Sequence, residues 1–284
     1  MRINEKVAIV ACSNGLAEIQ KQKVDELQNT LMGIGKIPIL SNFLYAKENV
    51  FSGSGEERAK VLMDFYRDDE IKAIYDVSGG DLANEVLTFL DFDTIAKSDK
   101  KFWGYSDLTV ILNAIFTKTG KSSVLYQVRN LVGPEGEKQK ARFEADELYQ
   151  ISYEFLRGEE MQGTLVGGNI RCLLKLAGTE YWPDMDGKIL LLEAMGGGPA
   201  QMATYLNQLS QIGVYKKVKG ILLGTFSQME NNEESPTITD LVMKYIPDDL
   251  PVAKTQEIGH GADSKAIMIG EEIILKERRQ KRNE

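Results

Sequence analysis

The strongest constraint on the fold is an alternation along the first half of the chain. Short apolar runs are each followed by a longer segment with one charged face. Val7-Ala8-Ile9-Val10-Ala11 closes at Ser13-Asn14-Gly15 and reads as a strand and a turn. Residues 17–31 follow with their charges on one face, which predicts a helix. Ile37 to Leu40 is a second short strand, and residues 56–66 set Ala59, Leu62, Met63 and Tyr66 at helical spacing. Ala73 to Val77 is a third strand, ending at Ser78-Gly79-Gly80-Asp81, with a short helix over 82–90. Lys101 to Tyr105 is a fourth, and residues 108–117 form a strongly apolar helix. Strands separated by helices imply a parallel sheet covered on both faces. In such an α/β sheet the ligand crevice lies at the carboxyl ends of the strands, where Gly79-Gly80 and Tyr105-Ser106 fall.

Residues 133–140 are polar, with glycines and a proline, and the pattern predicts a helix over 143–157 before Gly158-Glu159-Glu160. A domain junction is placed here, giving an N-terminal α/β domain over 1–158 and a C-terminal domain over 159–284. The second half carries strand-like runs at 189–193, 220–224 and 266–269, with helices over 201–212 and 239–245. Gly167-Gly168-Asn169 lacks the lysine and the spacing of a phosphate loop and reads as a tight turn into a core helix.

Composition narrows the partners. A net charge of −8 argues against a nucleic-acid surface. The one basic run, Lys276 to Arg282, is interrupted by a glutamate and reads as a solvated end. The N-terminal residues have no apolar core or cleavage pattern of a secretory signal, and no apolar stretch reaches the length of a membrane span. A cytoplasmic location is therefore expected, with Cys12 and Cys172 as buried free thiols.

Few residues are left to carry chemistry. His260 is the only histidine, flanked by Gly259 and Gly261, so any imidazole proton transfer falls to it. The single count excludes a zinc site built from two or three histidines of one chain. The alternative is a turn residue making a structural hydrogen bond. Ser106 follows Gly104-Tyr105 at a strand-to-helix turn, where free backbone N–H groups can hold an oxyanion. It matches a nucleophile elbow only in part, since Leu108 stands at the second glycine position, and it also fits an ordinary N-cap. Glu193 ends an apolar run and enters Ala194-Met195-Gly196-Gly197-Gly198, either as an acid that orients an imidazole or as a charge at a strand exit. Gly79-Gly80 offers a backbone N–H that can turn toward a reacting carbonyl without a side chain in the way.

Together, the strand ending in Gly79-Gly80-Asp81, the segment Gly104-Tyr105-Ser106-Asp107-Leu108-Thr109, the stretch from Val166 to Glu193 and Ile258-Gly259-His260-Gly261 resemble the LD-carboxypeptidase and microcin-immunity family of serine peptidases. The resemblance runs in the family's order over nearly the whole chain. It implies a triad of Ser106, Glu193 and His260, and an oxyanion hole from the N–H groups of Gly80 and Asp107. It also implies an N-terminal α/β domain, a β-rich α/β C-terminal domain, an active site between them, and a homodimer. Gly79, Asp81 and Trp182 are candidate substrate contacts, Trp182 as a stacking face for a nucleobase or else as a core or interface aromatic.

The chain departs from LD-carboxypeptidases of the usual type at three places. Where they carry an arginine and Gly-Gly-Tyr-Gly, it has Ser78-Gly79-Gly80-Asp81-Leu82. Ala194 follows the acid in place of a second acid, and Tyr126-Gln127-Val128-Arg129 replaces a Gly-Pro turn. A serine cannot supply a bidentate, charge-assisted pair to a substrate carboxylate. Arg129 and Arg171 are candidates to compensate, although the sequence does not place them in the cleft. These departures favour the microcin-immunity-like branch.

The expected protein is a serine hydrolase without metal or organic cofactor, cleaving an amide near a carboxyl terminus. Its substrate is a small peptide or an aminoacyl-nucleotide, with no nucleic-acid or membrane partner. Removal of the terminal D-alanine from murein tetrapeptide is the alternative activity. A two-domain small-molecule binding protein is the non-enzymatic alternative. A class I glutaminase-like chain needs a cysteine at the elbow, and neither cysteine is there.

Overall fold

The computed structural model describes residues 4–277. Most of the basic C-terminal run lies outside them. Two six-stranded sheets carry the fold. The first contains β1 (Glu5–Val10), β2 (Lys36–Leu40), β3 (Ile71–Asp76), β4 (Lys101–Gly104) and β5 (Ser123–Leu125), in the spatial order β2-β1-β3-β4-β5. All five are parallel. The strand order reverses between β1 and β3, and at such a switch point the loops leaving the two strands splay apart into a crevice. The second sheet contains β6 (Glu154–Arg157), β7 (Glu160–Asn169), β8 (Ile189–Ala194), β9 (Gly220–Phe226), β10 (Val252–Lys254) and β12 (Glu272–Lys276). Strands β7 to β10 run parallel, with β12 and β6 antiparallel on the two edges. The remaining strand, β11 (Ile267–Ile269), pairs antiparallel with β5 on the edge of the first sheet.

The α-helices are α1 (Lys21–Gly33), α2 (Gly55–Arg67), α3 (Phe92–Lys97), α4 (Thr109–Thr119), α5 (Gly136–Glu144), α6 (Ile170–Leu174), α7 (Pro199–Gln211), α8 (Ser227–Asn231) and α9 (Ile238–Tyr245). Helix α2 starts on a capping box, in which Ser54 Oγ accepts from the Glu57 N–H and the Glu57 carboxylate accepts from the Ser54 N–H. The segment expected as a short helix over 82–90 is a tighter 3-10 helix, Ala83–Phe89.

The apolar runs are buried on both faces, as parallel strands under helices must be. Successive residues therefore serve different cores. Val7 and Ile9 of β1 belong to a cluster with Leu27 and Leu31 of α1, whereas Ala8 and Val10 face a second cluster. That second cluster also holds Leu165, Ile189, Leu191 and Leu222, so both sheets contribute to one continuous core. Leu190, Leu192, Ile221 and Leu223 point the other way, against Leu206 of α7 and Val242 of α9. A polar clasp adds to this joint. The Asn113 side chain of α4 donates to Gly167 O and accepts from Gly167 N, both at 2.9 Å, while Asn169 N donates to Thr109 Oγ1 at 3.1 Å. Gly167-Gly168-Asn169 thus ends a ten-residue strand, not a tight turn, although α6 does follow it directly.

One expectation is corrected here. The helix expected over 143–157 lies earlier, as α5, and its last residues form β6. Helix α5 was hidden because a polar side chain anchors it: Gln139 is fully buried, donating to the carbonyls of Ala262 and Ser264 at 2.9 Å. The two sheets interleave along the chain around the junction placed between residues 158 and 159. Strand β6 precedes it and belongs to the second sheet, while β11 returns to the first.

Candidate active site

The loops leaving β3, β4 and β5 meet the loops after β8 and β10 at one cleft of about 310 Å³. Its lining includes Gly79, Gly80, Ser106, Arg129 and His260.

Ser106 sits where β4 turns into a 3-10 turn, Ser106–Leu108, that runs straight into α4. Its φ is +56°, a left-handed conformation that costs a non-glycine residue about 1–3 kcal/mol and persists only where surrounding structure enforces it. Such strained strand-to-helix serines present their hydroxyl above the sheet. Gly104, two residues earlier, makes the turn possible: a Cβ there would stand 2.6 Å from Leu108 Cβ. The partial elbow in the sequence is thus an elbow in space.

His260 Nδ1 lies 2.8 Å from Glu193 Oε2. Glu193, the next-to-last residue of the all-buried strand β8, is itself fully buried. A carboxylate at that nitrogen favours the Nδ1–H tautomer and leaves Nε2 as the acceptor. Nε2 of His260 is buried and has no hydrogen-bond partner, so Ser106 Oγ does not bond it in this conformation. Catalytic hydrogen bonds often tighten only with substrate bound. The Tyr105 ring lies against the imidazole, with centroids 4.6 Å apart, and its hydroxyl donates to Glu193 Oε2 at 3.3 Å. Burial, then the Glu193 charge, pushes the Tyr105 phenol far up, so it stays a donor.

Two neighbours fix the Gly79–Gly80 turn. Gly79 O accepts from Asn14 N at 3.2 Å, and Gly80 O accepts from Arg171 Nη2 at 2.9 Å. In a trans peptide the N–H points opposite to the C=O, so the Gly80 N–H is turned away from Asn14. Gly80 has φ +124°, and a Cβ there would lie 2.2 Å from the Asn14 side chain, so this position requires glycine. Asp107 is fully buried, and its carboxylate accepts from Ser13 Oγ at 2.6 Å and Ala83 N at 2.8 Å and pairs with Lys175. The side chain is consumed as a brace.

Below the loop, buried Asp76 accepts from Cys12 N at 2.7 Å, Ser78 N at 2.8 Å and Ser78 Oγ at 2.5 Å. Burial pushes its carboxyl up, and the Ser78 and Cys12 donors pull it back.

The sequence-named residues thus divide. Ser106, His260, Gly79 and Gly80 line the cleft, with Glu193 behind the histidine and Asp107 beside the serine. The Asp81 carboxylate is tied to Arg171, which holds its pKa below the usual carboxylate range. Trp182 packs against two hydrophobic clusters and is not among the residues lining the cleft. Of the two candidate arginines, Arg171 is spent on this latch, and Arg129 lines the cleft. The sequence reading missed Tyr105 as a partner of both Glu193 and His260, and gave no role to Gln127, Asn130, Met195 or Ser264 in the lining. The signal for Tyr105 lay in its place beside Ser106.

Two mainly parallel sheets share one core and carry this cleft at their strand ends. Residues 7–126 match the LD-carboxypeptidase N-terminal domain, and residues 162–275 match the LD-carboxypeptidase C-terminal domain. The chain belongs to the LD-carboxypeptidase family. A probable murein peptide carboxypeptidase of Bacillus subtilis is 30% identical over 269 residues, covering 89% of this chain and 84% of the relative. The microcin C7 self immunity protein MccF, solved in complex with aspartyl sulfamoyl adenosine, superposes with a TM-score of 0.85 at 19% identity over 97% of this chain and 94% of its own. The muramoyltetrapeptide carboxypeptidase from Oxalobacter formigenes gives 0.79 at 23% identity over 96% and 95%.

Proposed function

We propose that this chain hydrolyses an amide near a carboxyl terminus through an acyl-enzyme on Ser106. The observation that carries the reading is the His260–Glu193 pair: a lone imidazole, oriented by a buried carboxylate at 2.8 Å, with its other nitrogen free in the cleft that Ser106 lines. His260 Nε2 takes the hydroxyl proton as Ser106 Oγ attacks the carbonyl carbon. The N–H groups of Gly80 and Asp107 hold the oxyanion. The tetrahedral intermediate collapses as His260 protonates the leaving amine. Water, deprotonated by the same imidazole, then attacks the ester and frees Ser106. Glu193 keeps the tautomer and stabilises the imidazolium throughout.

The family accommodates two substrate classes, murein peptides and aminoacyl-nucleotides. The sequence favoured the second, because Ser78 replaces a loop arginine and Trp182 offered a stacking face. Both supports weaken in the structure. Trp182 is a packing residue, and Arg129, from a neighbouring loop, lines the cleft. The peptide reading therefore gains, and the reading includes a cytoplasmic homodimer. No described helix is long and apolar enough to cross a membrane. The test is the ratio of kcat/KM for murein tetrapeptide and for aspartyl sulfamoyl adenosine on one enzyme preparation. A ratio above one supports peptide hydrolysis. A ratio far below one returns the assignment to the immunity-like class.

A further inference from the structure

We propose that Arg129 is the clamp for the substrate's terminal carboxylate, taking over from a neighbouring loop the charge that Ser78 cannot supply. The proposal rests on the serine-hydrolase reading and names the substrate feature that the site selects.

Arg129 lies in a 3-10 turn, Val128–Val132, immediately after β5, the strand next to the one that carries Ser106. The turn is pinned to the oxyanion loop. Gln127 Oε1 accepts from Arg129 N at 3.2 Å, and Gln127 Nε2 donates to Ser78 O at 3.4 Å. The side chain lines the same cleft as Gly80, Ser106 and His260.

The state of the guanidinium is the unusual feature. Its Nε–H is buried with no acceptor. Leaving such a donor unsatisfied costs free energy that a bound acceptor restores. The nearby carboxylate does not fill the role. Asp76 attracts the charge, but its oxygens already accept from Cys12 N, Ser78 N and Ser78 Oγ. The other cations around the cleft are committed: Arg171 to Asp81 and Gly80 O, Lys175 to Asp107. Arg129 is thus a permanently charged fork whose buried Nε–H lacks a partner, in the cleft that Ser106 lines. An anion there gains a charge-assisted pair with a guanidinium that burial has partly desolvated. In a carboxypeptidase the anion that must lie next to the scissile amide is the α-carboxylate of the departing residue. Recognising it restricts cleavage to the last peptide bond.

The test compares murein tetrapeptide bearing its free terminal carboxylate with the same peptide as the terminal carboxamide, on wild type, Arg129→Gln and Arg129→Lys. Wild type should prefer the acid. Arg129→Gln should lose about 10–100-fold in kcat/KM on the acid, chiefly through KM, so that the acid-to-amide ratio collapses toward one. Arg129→Lys should recover part of the ratio, since it restores charge without the fork. Fluorophosphonate labelling of Ser106 in each variant reports a folded, reactive site independently. If Arg129→Gln still labels and keeps the wild-type ratio, or if wild type shows no preference for the acid, the clamp is overturned and the hydrolase reading stands. Equal losses on acid and amide also overturn it. If wild-type Ser106 takes no label, the underlying hydrolase reading is what fails.

Discussion

The rings of Tyr105 and His260 meet at a centroid distance of 4.6 Å, tilted by 60°, with the Tyr105 hydroxyl 3.3 Å from the carboxylate that holds the imidazole. One residue thus joins the strand that delivers Ser106 to the Glu193–His260 pair delivered by the second half of the chain. Tyr105→Phe keeps the ring and removes only the hydrogen bond, which is a weak one at that length. It should lower kcat by about 3–10-fold, the equivalent of roughly 1 kcal/mol. Tyr105→Ala also removes the surface on which the imidazole rests and should cost more in kcat and several degrees in Tm. Steady-state kinetics and thermal melts on both variants check this, and a Tyr105→Phe as damaging as Tyr105→Ala would contradict it.

The Ser106, His260 and Glu193 side chains should act as one unit. Ser106→Ala and His260→Ala are each expected to lose about 10⁴–10⁶-fold in kcat, with Glu193→Ala the mildest. Combining Ser106→Ala with His260→Ala should be little worse than Ser106→Ala alone. Losses that multiply would show that the residues do not share a step.

Arg171 should act on turnover through the Gly80 loop. Arg171→Ala frees the Gly80 carbonyl and the Asp81 carboxylate, both of which it binds. Loosening an oxyanion donor should lower kcat by about 10-fold and barely move KM, a fraction of the 10²–10³-fold for deleting such a donor. Its cost in stability should be small, about 0–1 kcal/mol, because the ion pair is largely exposed. The pH dependence has a definite sign. Arg171 depresses the Asp81 pKa, so the pair's contribution is present above the unfolded-state pKa and is lost as pH falls through the depressed value. The Tm difference between wild type and Arg171→Ala should therefore be full at neutral pH and vanish in strong acid. A difference that grows on acidification would refute the latch.

Both thiols should be inert in the folded protein. Burial, reinforced by Asp76 for Cys12 and Asp107 for Cys172, pushes each pKa up, so neither forms a thiolate near neutrality. An aromatic disulfide reagent at pH 8 should find no reactive thiol in the native state and two after unfolding in guanidinium. Rapid modification of either one in native protein would contradict the packing described.

The sequence made legible those parts of the site that local pattern controls. A single histidine needs no structure to be noticed, and β4 followed by Ser106 and an apolar helix is readable as a turn at a strand end. Glu193 stood at the end of an apolar run. What escaped depends on distance along the chain or on very short elements. The partner of Tyr105 is 88 residues away. Arg129 follows β5, a strand of three residues, too short to show a period. Strand β11 is equally short and pairs across the chain with that same strand, so the return of the chain to the first sheet left no local mark. Helix α5 carries a buried glutamine where the pattern sought an apolar residue.

The most direct test of the account is covalent labelling. Wild-type protein treated with a fluorophosphonate should gain the mass of one adduct, mapped by peptide sequencing to Ser106. The rate should fall by orders of magnitude in His260→Ala, and labelling should be absent in Ser106→Ala. No adduct, an adduct on another residue, or labelling at an unchanged rate without His260 would contradict the serine mechanism on which the rest depends.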